Sequence, residues 1–240
     1  SAACTKYNMD MGLYLSPWDI HEPSYGYYDA NGNATSKEND VRDYNEYYNN
    51  QLNEILGNPI YGNAGHFREV WMDGAKGSGS DAQEYDFGRW FETIQSHEGK
   101  AAGYDADCML FGAEAYTTVR WIGNENGYAH DNTWSKSQVD KSANTINSNS
   151  QGSYTVGLEN GNQWTVPEAD ARITSGWFWG TAKNTPKTIS ALAEMYFRSV
   201  GHNATFLLNV PPNNVGSVDQ AILDRVTEFG KNVRQTFANN

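Results

Sequence analysis

FREVWMDGAKG, residues 67–77, is the stretch whose reading decides the fold. A short apolar run, Phe67 to Met72, stops on an Asp-Gly pair and then turns glycine-rich. An apolar run of this length bounded by turn residues reads as a buried strand. Its last side chain, Asp73, has two readings. Asp-Gly is a common turn pair, which makes Asp73 a turn residue. Alternatively, Asp73 is held at the mouth of a barrel, at the strand end where parallel α/β enzymes keep their chemistry.

The flanking segments alternate in type. Upstream, Met11 to Leu15 reads as a strand stopped at Ser16-Pro17, because proline cannot continue the ladder. Residues 25–37 are a Gly/Asn/Asp-rich loop. Asp40 to Gly57 carries Tyr44, Tyr48, Leu52 and Ile55 at spacings of three or four, a helix pattern. Downstream, Asp86 to His97 is a second helix, with Phe87, Trp90, Phe91 and Ile94 on one face. Ala106 to Phe111 is a strand around Cys108. Ala129 to Trp164 is polar and without periodicity, the signature of a functional or mobile stretch. Ala171 to Phe178 is read as holding a short strand, Thr185 to Val200 as a helix, and Ala204 to Val210 as a strand closed by Pro211-Pro212. Val218 to Phe237 is a last amphipathic helix through Ile222, Val226, Phe229 and Val233.

Strands alternating with helices predict a parallel α/β architecture. Several predicted strands end in polar or aromatic residues: Ser16 and Trp18, Asp73, Glu114, Asn209. That favours a (β/α)8 barrel of the TIM type, filling residues 1–240 as one catalytic domain. A doubly wound nucleotide-binding sheet lacks its glycine turn, since GSGS at Gly77 opens no helix. About five or six strands are countable against the eight of a complete barrel, so the barrel is expected to be incomplete. SAACTKYNMD, residues 1–10, reads as the end of a helix leading into a strand, and the chain is expected to be cut from a longer one.

Composition narrows the chemistry. The 240 residues are 38% hydrophobic and 13% aromatic, with 8 Trp and 15 Tyr, enough for a core and for spare aromatic faces. A net charge of -12 opposes nucleic acid and anionic membrane surfaces, which recruit clustered Lys and Arg. No apolar run approaches the roughly 20 residues of a membrane span. Neutral sugars fit this balance: rings stack on their C–H faces, and carboxylates and amides bind their hydroxyls. Cys4 and Cys108 read as buried free thiols, with a disulfide as the alternative. His21, His66, His97, His130 and His202 show no metal spacing. No Gly-x-Ser-x-Gly elbow or phosphate loop is present, so serine-hydrolase and phosphate-loop chemistry find no support.

Glycoside cleavage needs two carboxyls flanking the bond, one ionised and one protonated. Asp73, with Trp71 two residues back, is one candidate. Glu125, in the Gly/Asn loop of VRWIGNENGYA, is the second, where desolvation among aromatics is expected to favour its protonated form. Glu114 and Glu168 compete with it. A separation of about 5 to 5.5 Å between the two carboxyls would indicate retention, and about 6.5 to 9.5 Å inversion.

GLYLSPWD (12–19), YYNNQLNEIL (47–56), EVWMDGA (69–75), VRWIGNENG (119–127), GWFW (176–179) and FLLNVPPN (206–213), in this order, resemble the catalytic domain of a glycoside hydrolase family 29 α-L-fucosidase. The resemblance runs from about Tyr7 to Phe229. SPWD and RWIGNE are most similar to the subgroup acting on α-1,3/1,4-linked fucose in branched, Lewis-type glycans, as in gut bacteria. The resemblance implies a retaining exo-acting hydrolase without a cofactor, in which Asp73 is the nucleophile and Glu125 the general acid/base. It implies substrate contacts from Tyr14, Trp18, Trp71, Arg120, Trp121 and Trp177, with Arg120 orienting a hydroxyl or the nucleophile. Core packing is the alternative for Tyr14, Trp18 and Trp177. Asp19 is left between an aglycone contact and a loop cap, and Asn209 is expected to close the barrel. The family's early His-Trp-Gly motif and its His-His-Asp-Gly motif are absent from these residues, so the first two βα units are expected to be missing. The implied partner is a fucosylated oligosaccharide or glycoconjugate, and the implied location is secreted or cell-surface. A glycan-binding module, or an inactive fragment, is the alternative to an enzyme.

Overall fold

Tyr44, Tyr48, Leu52 and Leu56 recur every fourth residue, and all four are buried. They form the inner stripe of helix α2 (Tyr44–Leu56) in the computed structural model, which describes residues 1–74, 76–79, 82–98, 108–112, 115–146, 155–180 and 184–238. The chain divides into two compact units, residues 1–119 with 140–145, and residues 120–139 with 146–240.

The first unit opens with the short helix α1 (Ala2–Tyr7), followed by strand β1 (Gly12–Tyr14). After a loop, a 3-10 turn at Lys37–Asn39 and helix α2 come strand β2 (Glu69–Trp71), helix α3 (Phe87–Glu98) and strand β3 (Met109–Gly112). β1, β2 and β3 pair in parallel, with Gly12 opposite Glu69 and Val70 opposite Leu110. The predicted helix start at Asp40 moves to Tyr44 because the Asp43 carboxylate caps it, accepting from the Glu46 N–H at 2.9 Å. On α3, Trp90 and Ile94 are buried and pack with α2, Val70 and Leu110. Alternation along each strand leaves Glu69 and Trp71 on the face opposite Val70. Two phenols fix the end of β1 to α2: Tyr48 Oη donates to the Leu15 carbonyl, and Tyr44 Oη to that of Pro17, both at 2.7 Å.

The second unit begins within β4 (Val119–Trp121), a strand the sequence reading left unassigned inside VRWIGNENG. Two short ladder pieces follow in this unit, β5 (Lys136–Ser137) and β8 (Gln163–Trp164), which pair antiparallel; β6 (Val139–Asp140) and β7 (Thr145–Ile146), paired with each other, each straddle the division, with Asp140 and Thr145 in the first unit. Then come β9 (Val166–Arg172), helix α4 (Ile189–Ser199), β10 (Thr205–Asn209) and helix α5 (Gln220–Phe237). β10 pairs in parallel with β9, and β9 neighbours β4. Ala171 and Ile173 pack with Leu192, Met195 and Ile222 into this unit's core. The strand predicted in Ala171 to Phe178 therefore lies earlier, at Val166–Arg172. The polar stretch before it, read as functional or mobile, is tied together by backbone hydrogen bonds among its described residues. Trp134 N–H donates to the Val156 carbonyl, Leu158 N–H to Lys136, and Thr165 N–H to Ser135.

Arg120 organises that stretch from below. Its side chain is fully buried, and Nη1 donates to the Thr165 carbonyl at 2.5 Å, while Nη2 donates to the Trp134 carbonyl. Burial pulls the guanidinium down to about 10, still cationic at neutral pH. Gly157 takes a φ of 76° beside it, where a Cβ would stand 2.5 Å from the Trp134 carbonyl oxygen and 2.7 Å from Arg120 Nη2. Cys4 and Cys108 are free thiols, so the disulfide alternative falls away, and burial pushes the Cys108 thiol up to about 12. Among the described residues, no helix is long and apolar enough to cross a membrane.

Two stability outcomes are expected in urea unfolding. Gly157→Ala should cost about 2 kcal/mol or more, through the left-handed backbone and the overpacking together. Trp90→Ala, at a fully buried side chain, should cost about 3–5 kcal/mol. An unchanged midpoint for either would refute its structural role.

Candidate functional site

Two groups of side chains carry chemistry, one in each unit. In the first, Tyr14, Trp71 and Phe111 stand at matching register positions on β1, β2 and β3. Parallel pairing therefore stacks their rings in a row: Tyr14 and Trp71 have centroids 5.2 Å apart at 24°, Trp71 and Phe111 3.9 Å apart at 11°. Asp73 lies two residues beyond Trp71, and Tyr14 Oη donates to its Oδ2 at 3.0 Å. Burial pushes the Tyr14 phenol up to about 12, and the Asp73 charge adds to the shift. The phenol thus remains a proton donor to Asp73 across the neutral range. Residues 72–74 are in no assigned turn and Gly74 is outside the left-handed region, while Ala75, the next residue of any such turn, lies outside the described residues.

Trp18 lies beyond this row, past the Ser16-Pro17 stop, and is exposed. Asp19 accepts from the His21 N–H at 3.1 Å, the geometry of a loop cap.

In the second unit, Glu125 is on the loop after β4. The loop is fixed by an isolated bridge between Asn126 and Ala171 and by Gly127, whose φ of 74° lets the backbone approach the Ala171 side chain. Trp177 Nε1–H donates to Glu125 Oε2 at 3.2 Å, and Arg172 Nη2 stands 3.8 Å from the same oxygen. The Arg172 guanidinium also lies over the Trp177 ring, 5.2 Å from its centroid. Glu125 is thus half-exposed beside a cation, not enclosed among aromatics as expected. Asn209, opposite Arg172 in the ladder, donates from Nδ2 to the Trp177 carbonyl at 2.9 Å and so fixes the Trp177 backbone.

The remaining expected residues separate by position. Trp121 Nε1–H donates to Asp170 Oδ1 at 2.7 Å. Arg120, expected to orient a substrate hydroxyl or the nucleophile, instead lies in the interior with its terminal nitrogens spent on loop carbonyls. Glu168, a competitor for the acid, is buried and accepts from Thr205 Oγ1 at 3.3 Å. Glu114 lies outside the described residues. Asp170 and Arg172 were missed by sequence reasoning. Their signal was the alternation Glu168, Asp170, Arg172 within VPEADAR, one face charged and the other small and apolar.

The sequence and fold have relatives. A family model described as Alpha-L-fucosidase matches residues 1–236. The chain is 36% identical to Alpha-L-fucosidase 1 of Arabidopsis thaliana over 241 residues, covering all of this chain and 42% of that protein. Among solved structures, a Ruminococcus gnavus GH29 fucosidase in complex with fucose is 77% identical at a TM-score of 0.93, covering 99% of this chain and 47% of that one. SpGH29 is 41% identical at a TM-score of 0.80, over 98% of this chain and 47% of its own. The chain thus spans less than half the length of these relatives. A family model matched over residues 1–236, together with 36% identity along the whole chain, shows that this chain belongs to the alpha-L-fucosidase family.

Proposed function

We propose that the chain supplies the reacting carboxylates of a retaining exo-α-L-fucosidase acting on α-1,3/1,4-linked L-fucose of branched, Lewis-type glycans. The observation that carries this reading is the Asp73 arrangement: a carboxylate past a strand end, hydrogen-bonded by a phenol that remains protonated, next to a row of three rings. Tyr14, the exposed member at the end of that row, offers apolar ring surface for the C–H groups and methyl of a deoxy sugar. The fucose bound in the Ruminococcus gnavus relative supports the same sugar class.

In the proposed mechanism, Asp73 Oδ1 attacks C1 of fucose, and the Tyr14 hydrogen bond on Oδ2 holds the carboxylate in line. The C1–O bond to the leaving sugar breaks as protonated Glu125 gives its proton to that oxygen. A covalent fucosyl ester forms. Glu125, now ionised, takes a proton from water. The water oxygen attacks C1, the ester bond breaks, and Asp73 leaves as a carboxylate. Two inversions give net retention. Trp177 and Arg172 hold the Glu125 oxygen they share. A substrate on exported glycans fits a secreted or cell-surface location.

Release of L-fucose from a Lewis-type trisaccharide, with the first-formed anomer followed by proton NMR, tests the reading. The α anomer is expected first; the β anomer would overturn retention, and absence of any release would overturn the enzyme reading. A faster rate on α-1,2-linked fucose would overturn the linkage assignment. Asp73→Ala should lower kcat by about 10⁴-fold or more, as loss of a nucleophile does elsewhere. Glu125→Ala should lose about 10²- to 10⁴-fold on the natural glycan and far less on an activated aryl fucoside. Tyr14→Phe should lower kcat by about tenfold, one hydrogen bond to a charged group; an unchanged kcat would remove Tyr14 from the mechanism.

A further inference from the structure

β9 presents Glu168, Asp170 and Arg172 on one face, while Ala169, Ala171 and Ile173 are wholly buried on the other. Glu168 has Thr205 as a partner, and Arg172 has Glu125 and Trp177. Asp170 differs. It is only 6% exposed, yet among the described residues the one side chain donating to it is the Trp121 indole, on Oδ1. A carboxylate offers about four acceptor positions. The indole and the residue's own amide leave acceptor capacity unused at a site where an under-bonded anion is costly. Burial raises the Asp170 carboxyl above its ordinary value; the Trp121 indole and the residue's own amide oppose the shift, the Glu125 charge adds to it, and Arg172 opposes it.

A ligand hydroxyl would fill that capacity. A metal cation is disfavoured by the Arg172 guanidinium two residues along the same face. The register also sets depth. Asp170 is opposite Leu207, and Arg172, which meets Glu125, is opposite Asn209 at the C-terminal end of both strands. Asp170 is therefore one step deeper than the carboxylate proposed to protonate the glycosidic oxygen. In an exo-acting site the deeper ring is the sugar being released.

We infer that Asp170, seated by the Trp121 indole, accepts a hydrogen bond from a ring hydroxyl of the sugar released, L-fucose on the reading above. The inference rests on that reading. It makes Asp170 a sugar-binding residue and Trp121 the group that positions it, and it assigns Trp121 a polar role in addition to an aromatic wall.

The test compares the parent chain with Asp170→Ala, Asp170→Asn and Trp121→Phe on an aryl α-L-fucoside and on its 2-, 3- and 4-monodeoxy analogues. Asp170→Ala is expected to lower kcat/KM on the parent fucoside by about tenfold to a hundredfold, as expected of a hydrogen bond to a charged acceptor. For the one deoxy analogue lacking the bonded hydroxyl, the same substitution should cause no further loss. Trp121→Phe should show the same pattern at smaller size, because it frees Asp170 without removing it. An equal loss on all four substrates would mean a merely structural role and would overturn the inference, as would no loss at all. Should Asp170→Ala fail to fold, the near-isosteric Asp170→Asn carries the same comparison. A parent chain that cleaves none of the fucosides, or that keeps its activity as Asp73→Ala, overturns the fucosidase reading itself. A uniform loss in an active parent overturns the Asp170 assignment alone.

Discussion

Leu13, Val70 and Leu110 stand side by side in the parallel register of β1, β2 and β3, with Val70 and Leu110 turned into the layer of α2 and α3. Everything the first unit offers to a ligand depends on that constraint. With a period of two, burying these side chains sends Tyr14, Trp71 and Phe111 to the opposite face at one level. A slip of one residue would put the rings in the core and the aliphatic side chains in solvent. The register is thus held by the hydrophobic stripe of α2 and α3, and by the phenols of Tyr44 and Tyr48 that bind the end of β1. Packing energy far from Asp73 is what fixes the hydrogen bond made to it.

The same rule runs through the second unit with a different cast. Ala171 and Ile173 are buried under α4 and α5, so Asp170 and Arg172 share the other face. The loop carrying Glu125 is then pinned to that strand through Asn126 and Gly127, both of which address Ala171. Glu125 meets Arg172 because its neighbour is bridged to the residue before Arg172. Trp177 adds the third member, holding Glu125 by its indole N–H and covered by the guanidinium.

Arg120 shows why a charged residue in a motif need not face a ligand. Trp121, its neighbour on β4, turns to Asp170, and Arg120 by alternation turns away. There it supplies donors to backbone carbonyls of a polar stretch that, among its described residues, has no helix. A buried guanidinium is tolerated because loop carbonyls accept from both terminal nitrogens, and Gly157 alone leaves room for them.

Much of this was legible in the residues alone. Helices α2, α3 and α5 follow from stripes at three- and four-residue spacing, and β1, β2 and β10 from apolar runs stopped by Pro or Asp. The position of Asp73 past a strand end was open to reading for the same reason: local pattern encodes local structure. β4 and β9 were not legible. Val119–Trp121 is too short to show a period, and the core face of β9 is mostly alanine, whose small side chain gives little hydrophobic signal beside Glu168, Asp170 and Arg172. Nor could sequence show that Arg120 is spent internally, that Asp43 and not Asp40 begins α2, or that Glu125 stands beside Arg172. Those outcomes depend on partners 3 to 47 residues away in the chain, and only packing brings such groups within hydrogen-bond reach. The sequence by itself determined which segments are strands and helices wherever one face is strongly apolar. The tertiary structure alone decided which charged side chains were left on the open face, because that choice is made by what the opposite face buries.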